Sequence, residues 1–260
     1  PEQVLQTNEA TGGNFLALYS LIEPGDHVIS LYPTYQQLYD IPRSFGAEVD
    51  LWHIKEENGW LPDLEELRKL VRSNTKMICI NNANNPTGAV MEEDFLKELV
   101  KIAEGCGAYI LSDEVYKSLE TGIEVPSIAD LYDKGIAVNS ISKTYSVPGI
   151  RIGWVAANSE LSDIFRKYRD YTMICAGVFD DYLATYILEN KEAVLERNRK
   201  IVTENLEVVK KYIDNNDVEG VRISTRPECI DDEILTQLKK YGVKTIELGI
   251  QSLDDKVLRA

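Results

Sequence analysis

In SISKTYSVPGIRIGW, residues 140–154, a lysine follows an apolar run, with Ser140 three residues before it and Arg151 eight residues after. A lysine amine attacks carbonyl carbons only when unprotonated, and in water its pKa is about 10.4. Taken alone, Lys143 therefore reads as a solvated surface cation. Two other stretches change the odds. NNANNPTG (81–88) and SDEVY (112–116) also follow apolar runs, and both are rich in polar and turn-forming residues. Each by itself reads as an ordinary polar loop.

Together they carry the groups that a pyridoxal phosphate site needs. Such a site needs an amine to form a Schiff base with the aldehyde and an anchor for the phosphate. It also needs a carboxylate to keep the ring nitrogen protonated, so that the ring accepts electrons. Lys143 is the candidate amine and Asp113 the candidate carboxylate; Asp113 reads equally as a helix N-cap for EVYKSL. Asn85 and Tyr116 are candidate donors to the ring phenolate oxygen, against readings as a turn residue and a packed aromatic. Tyr35, in YPTYQQ, is the candidate for stacking on the ring, against core packing. Ser140 and Arg151 are candidates for the phosphate, although a surface ion pair explains Arg151 as well. EATGGNF (9–15) opens a helix whose free backbone N–H groups make an anion site. It has neither Walker nor G-x-G-x-x-G spacing.

These residues need a scaffold that brings them together. Short apolar runs at 27–32, 48–54, 76–81, 108–113, 135–141 and 151–157 read as strands. Helical periodicity marks 12–22, 34–45, 62–72 and 92–106. Strand–helix alternation predicts an α/β fold with a mostly parallel sheet and helices on both faces. Ligands of such sheets bind beyond the carboxyl ends of the strands, where NNANNPTG, SDEVY and SKTYSVPG begin. A heptad-like row, Ile187, Val194, Ile201 and Val208, runs through 178–213. It reads as a long connecting helix in preference to a coiled coil, because ERNRK interrupts it.

SISKTYSVPGIRIG resembles the lysine signature of class I/II pyridoxal-phosphate aminotransferases, and NNPTG and SDEVY resemble that family's other landmarks in the same order. The resemblance runs over about 1–215. It implies a fold-type I large domain over 1–177 and a homodimer, and the scattered cysteines read as the reduced thiols of a cytoplasmic protein. The reaction it implies moves an amino group between an amino acid and a 2-oxo acid; a β-lyase or a non-catalytic cofactor-binding fragment are the alternatives. It implies that Lys143 carries the cofactor and shuttles a proton. Asp113 would pair with the pyridine nitrogen, Asn85 and Tyr116 would bond the phenolate oxygen, and Tyr35 would stack. Ser140, Arg151 and the amides of Ala10 and Thr11 would hold the phosphate. Two positions depart from the pattern. Glu9 stands beside the phosphate loop where similar sequences usually carry glycine, and a carboxylate there repels phosphate unless it turns away. Ala83 stands where proline is common.

The bulk properties agree with this class. The 260 residues carry a formal charge of −15, which argues against a nucleic-acid binder. No apolar run is long enough for a transmembrane helix, and no leader opens the chain. Cys79, Cys106, Cys175 and Cys229 lie far apart and read as reduced thiols, with no metal site. The opening PEQVLQTNEA reads as the middle of an element, so a piece of a longer chain is expected. The smaller domain that would grip a substrate carboxylate is not recognised in the chain. Past a junction at 214–220, residues 221–260 read as strand, helix, strand, helix and resemble an incomplete radical S-adenosylmethionine barrel. The Cys-x3-Cys-x2-Cys cluster loop is missing, and Cys229 alone holds no iron–sulfur cluster, so no radical chemistry is expected.

Overall fold

The computed structural model describes residues 2–119, 124–214, 221–225, 236 and 243–248. By contact density the chain divides into two units, Pro1–Arg199 and Lys200–Ala260.

The first unit is built on a seven-stranded sheet. Its strands are β1 (Val4–Asn8), β2 (His27–Tyr32), β3 (Glu48–His53), β4 (Thr75–Asn81), β5 (Tyr109–Asp113), β6 (Gly135–Ser140) and β7 (Ile152–Ala156). Their order is β1-β7-β6-β5-β4-β2-β3. The pairings from β6 through β3 are parallel, whereas β7 is antiparallel to both β6 and β1. The sheet is thus mostly parallel, as expected, with a reversed strand near one edge. Two successive reversals return β1 to the direction of β6. The ends of β1, β2, β4, β5 and β6 therefore share one edge, and β7 starts from it.

Helices cover both faces. On one side α1 (Glu9–Leu21), α2 (Gln37–Ser44) and α6 (Ser159–Arg169) enclose Leu16, Leu18, Val28, Met77, Leu111 and Phe165. On the other, α3 (Leu64–Leu70), α4 (Glu93–Cys106) and the short α5 (Ile128–Leu131) enclose Ile29, Trp52, Ile78, Leu99 and Ile110. Burial on both faces explains why these strands read as continuous apolar runs and not as alternating ones. Local signals set the boundaries. Asp63 caps α3 by accepting from the Glu65 N–H at 2.8 Å. Gly107, at φ 74°, takes the left-handed turn that ends α4.

Four features depart from the sequence reading. β1, the short α5 and α6 are present without having been expected. The stretch expected as one helix over 178–213 is two, α7 (Val178–Glu189) and α8 (Lys191–Asp214). Asn190 breaks it: at φ −107° and ψ 22° its backbone leaves the helical conformation, and its side-chain Nδ2 donates back to the Tyr186 carbonyl at 2.8 Å.

In the second unit, β8 (Val221–Thr225) and β9 (Val243–Leu248) form a parallel pair. Of the junction at 214–220 only Asp214 is described, as the last residue of α8; the two helices expected in the tail lie outside the described residues, except for Thr236, which is helical.

Candidate active site

The shared sheet edge opens into a cleft of about 250 Å³. Its lining includes every residue singled out from the sequence: Ala10, Thr11, Tyr35, Asn85, Asp113, Tyr116, Ser140, Lys143 and Arg151. Five separate loops deliver them, each following a strand that ends at this edge or preceding the one that begins there.

The floor is built around Asp113. The last residue of β5, it is buried, with Oδ2 accepting from Asn14 Nδ2 at 2.8 Å and Oδ1 from the Val115 N–H at 3.2 Å. A carboxylate has about four acceptor positions, so two remain. Burial pushes its pKa up to about 6, against the two hydrogen bonds, which lower it, with Glu114 adding a smaller upward push. Near neutral pH it is therefore mostly ionised and still has acceptor capacity in the cleft. Asn14 reaches it from α1 because Gly13 lets the helix lie close on the sheet: a Cβ there would meet Val138 Cγ1 at 2.8 Å. The N-cap role expected as the competitor does not occur, since a turn and no helix follows β5. Glu114, next in the chain, is structural. It accepts from the Ile128 N–H at 3.0 Å and the Ser127 hydroxyl at 3.2 Å and pairs with Lys117.

Asn81 at the end of β4 orders the neighbouring loop. Its Nδ2 donates to the Asp113 carbonyl at 2.8 Å, and its Oδ1 accepts from the Asn85 N–H at 2.6 Å. Asn85 is thereby held exposed at the cleft wall. Tyr116 stands across from it, and its phenol pKa is raised by burial, then by the nearby Asp113 and Tyr35. Tyr35 is 41% exposed at the rim, so it is free of the core packing that competed for it.

Lys143 is exposed to the cleft and has no hydrogen bond or ion pair from its amine among the described residues. Its loop, in contrast, is fixed. The adjacent Thr144 hydroxyl is within hydrogen-bond reach of the Val115 and Lys117 carbonyls (2.8 and 2.9 Å), and Asn198 Nδ2 donates to the Thr144 carbonyl at 2.9 Å. From below, Ile141, Ile152 and Ala184 pack together, joining the loop to α7.

At the mouth, the first turn of α1 faces Ser140, Ser142 and Arg151. Asn8 makes no side-chain cap, so the first amides of α1 stay unclaimed by it. Glu9 does not turn away. It has φ 64°, it is 4% exposed, and its Oε1 lies 3.0 Å from Arg151 Nη1 and accepts from the Ser142 hydroxyl. Thr7 Oγ1 donates to the Glu9 carbonyl at 2.8 Å, and Gly153 of β7 allows the close approach: a Cβ there would meet Glu9 C at 2.4 Å and Ala10 N at 2.8 Å.

Sequence reasoning missed Asn14, Asn81 and Ser142. Each had a signal: an asparagine within the apolar face of a helix, an asparagine closing an apolar strand, and a serine beside the lysine.

The sequence matches the model of the family described as aminotransferase class I and II over residues 1–224. It is 34% identical over 192 residues to aspartate aminotransferase of Thermotoga maritima, covering 73% of this chain and 51% of that protein. It is 33% identical over 226 residues to aspartate aminotransferase of Pyrococcus horikoshii, covering 85% and 57%. The fold superposes on a PLP-dependent aminotransferase from Streptococcus suis with a TM-score of 0.81 at 71% identity, covering 83% of this chain and 57% of that one. The chain thus spans about half the length of the curated relatives it matches.

Proposed function

This chain belongs to the aminotransferase class I and II family, and we propose that it carries the cofactor-holding half of an enzyme that transfers an amino group between an amino acid and a 2-oxo acid. The observation that carries the reading is the cleft: an unpaired lysine amine and a buried carboxylate with spare acceptor capacity, brought together from the ends of separate strands.

The residues fit pyridoxal phosphate at the floor. Lys143 would carry the aldehyde carbon on Nζ and, released by the substrate, move a proton at the substrate's α-carbon. Asp113 would accept from the ring N–H, as its ionised form does near neutral pH. Asn85 and Tyr116 would donate to the phenolate oxygen, and Tyr35 would cover a ring face. Ser140, Arg151 and the Ala10 and Thr11 amides would hold the phosphate. The cofactor, when bound, draws electron density from the bond being broken. The pinned Thr144 and Asn81 loops keep the reacting groups in place without rearrangement, which lowers the entropic part of the barrier.

The family match favours amino transfer over the β-lyase alternative. A homodimer is supported by the exposed apolar side of the 171–186 region, where Tyr171, Ile174, Val178, Phe179 and Tyr182 are each at least 70% exposed. A cytoplasmic setting is supported by the free thiols Cys79, Cys106 and Cys175. Among the described residues no helix is long and apolar enough to cross a membrane. For the tail, the parallel β8–β9 pair supports the reading of a strand–helix–strand piece of a barrel. It lacks the Cys-x3-Cys-x2-Cys cluster loop, so no radical chemistry is inferred for it.

Titration with pyridoxal phosphate tests the reading. The wild-type chain gains a visible absorbance band and Lys143→Ala does not. Incubation with an amino acid and a 2-oxo acid, followed by product analysis, tests the transfer itself. A wild-type chain without the band would end the proposal.

A further inference from the structure

The mouth of the cleft already contains an anion. Arg151 is the cation there and Ser142 a hydroxyl donor, and both engage one oxygen of the Glu9 carboxylate. The carboxylate is 94% buried, on a residue whose φ of 64° suits glycine better than any residue with a Cβ. Three further contacts hold that strained position: the Thr7 bond to the Glu9 carbonyl, the approach of Gly153, and the start of α1. The side chain is thus aimed into the cleft by its backbone.

We propose that Glu9 is an internal stand-in for the cofactor's phosphate, so that a phosphorylated ligand binds only by displacing it from Arg151 and Ser142. The inference rests on the cofactor reading above. Phosphate has about 1.5 to 2 negative charges near pH 7 and competes with Glu9 for Arg151, the cation common to both sets of donors. Two anions within a few ångströms in a partly desolvated cleft repel each other, and one cation cannot satisfy both at full strength. The consequence is selectivity. The site loses much of its preference for a phosphorylated aldehyde over the same aldehyde without phosphate, because the ring-end contacts, Lys143 and Asp113, are unaffected.

Two substitutions separate charge from shape. Glu9→Gln keeps the side-chain volume and the strained φ but removes the charge. Glu9→Gly removes the side chain and suits the φ. Absorbance titrations with pyridoxal phosphate and with pyridoxal measure the preference directly. In both variants the affinity for pyridoxal phosphate rises by about tenfold or more, while that for pyridoxal changes less than about twofold. A second measurement needs no aldehyde chemistry: inorganic phosphate raises the thermal midpoint of Glu9→Gly by more than that of wild type. Equal phosphate preference in all three proteins overturns the proposal. If neither aldehyde gives a Lys143-dependent band in any of them, the cofactor reading fails, and the response to inorganic phosphate alone then decides the role of Glu9: a larger shift in Glu9→Gly supports it, and equal shifts overturn it.

Discussion

Asp113 and Glu9 are both buried carboxylates lining one cleft, and they are satisfied in opposite ways. Asp113 receives two hydrogen bonds from neutral donors and has no ion pair among the described residues; burial pushes its pKa up to about 6. Glu9 has a guanidinium and a hydroxyl on one oxygen. The floor is thus left short of a positive partner, and the mouth is complete without a ligand. An unfilled end costs the empty protein stability and returns it on binding. A filled end stabilises the empty protein and must be undone on binding. On the proposed reading, the cleft is poised for the ring of the cofactor more than for its phosphate.

The largest expected effect concerns how firmly the mouth is fixed. In Gly153→Ala the new Cβ meets backbone atoms of Glu9, Ala10 and Asn139, none of which is the free end of a side chain. A loss of about 3 kcal/mol or more is expected in urea denaturation. An unchanged midpoint would mean that the close approach of Gly153 does not hold Glu9, and the contrast between a built mouth and an open floor would break.

Asp113→Asn sharpens the contrast from the other side. The folded carboxyl keeps its proton to about pH 6, and the unfolded one loses it near 3.8. Between these values the folded state binds more protons, so the contribution of Asp113 to stability falls as pH rises from about 4 to 6. The stability of Asp113→Asn relative to wild type therefore rises by on the order of 2–3 kcal/mol between pH 3 and pH 7 in the cofactor-free chain. Denaturation curves at the two pH values measure it. On the proposed reading the same variant also loses the partner for the ring nitrogen, so its gain in stability comes with a loss of cofactor affinity.

The smallest effect is Asn14→Ala. It removes one hydrogen bond to a buried carboxylate and costs about 1–2 kcal/mol near neutral pH. It also moves the Asp113 titration upward, which an NMR pH titration of the carboxyl reads directly.

The strand ends were legible because each is an apolar run stopped by polar, turn-forming residues. Those ends carry Asn85, Asp113 and Lys143, so the centre of the site came with them. β1 escaped because VLQTN has only two apolar residues, and its burial comes from pairing with β7, which no local pattern reveals. α6 escaped although Leu161, Ile164, Phe165 and Tyr168 keep helical spacing and Asn158 caps it by accepting from the Leu161 N–H. The break at Asn190 was hidden by a heptad row that continues through it. Glu9 could be flagged as misplaced beside an anion site. Only the three-dimensional approach of Arg151 and Ser142 turns that conflict into a pair.

The edge strand β1 also sets an order of assembly. Its register pairs Val4 with Ala156 and Asn8 with Ile152, the most distant pairing in the described sheet. Closing so long a loop is slow compared with pairing β4, β5 and β6, which follow one another in the chain. A chain leaving the ribosome can lay down the strands that carry Asp113 while β7 is still to come. It cannot bring Glu9 to Arg151 until the arginine and the strand behind it have emerged. During synthesis, then, the cationic mouth is the last part of the cleft to form, and Glu9 reaches it as the sheet closes.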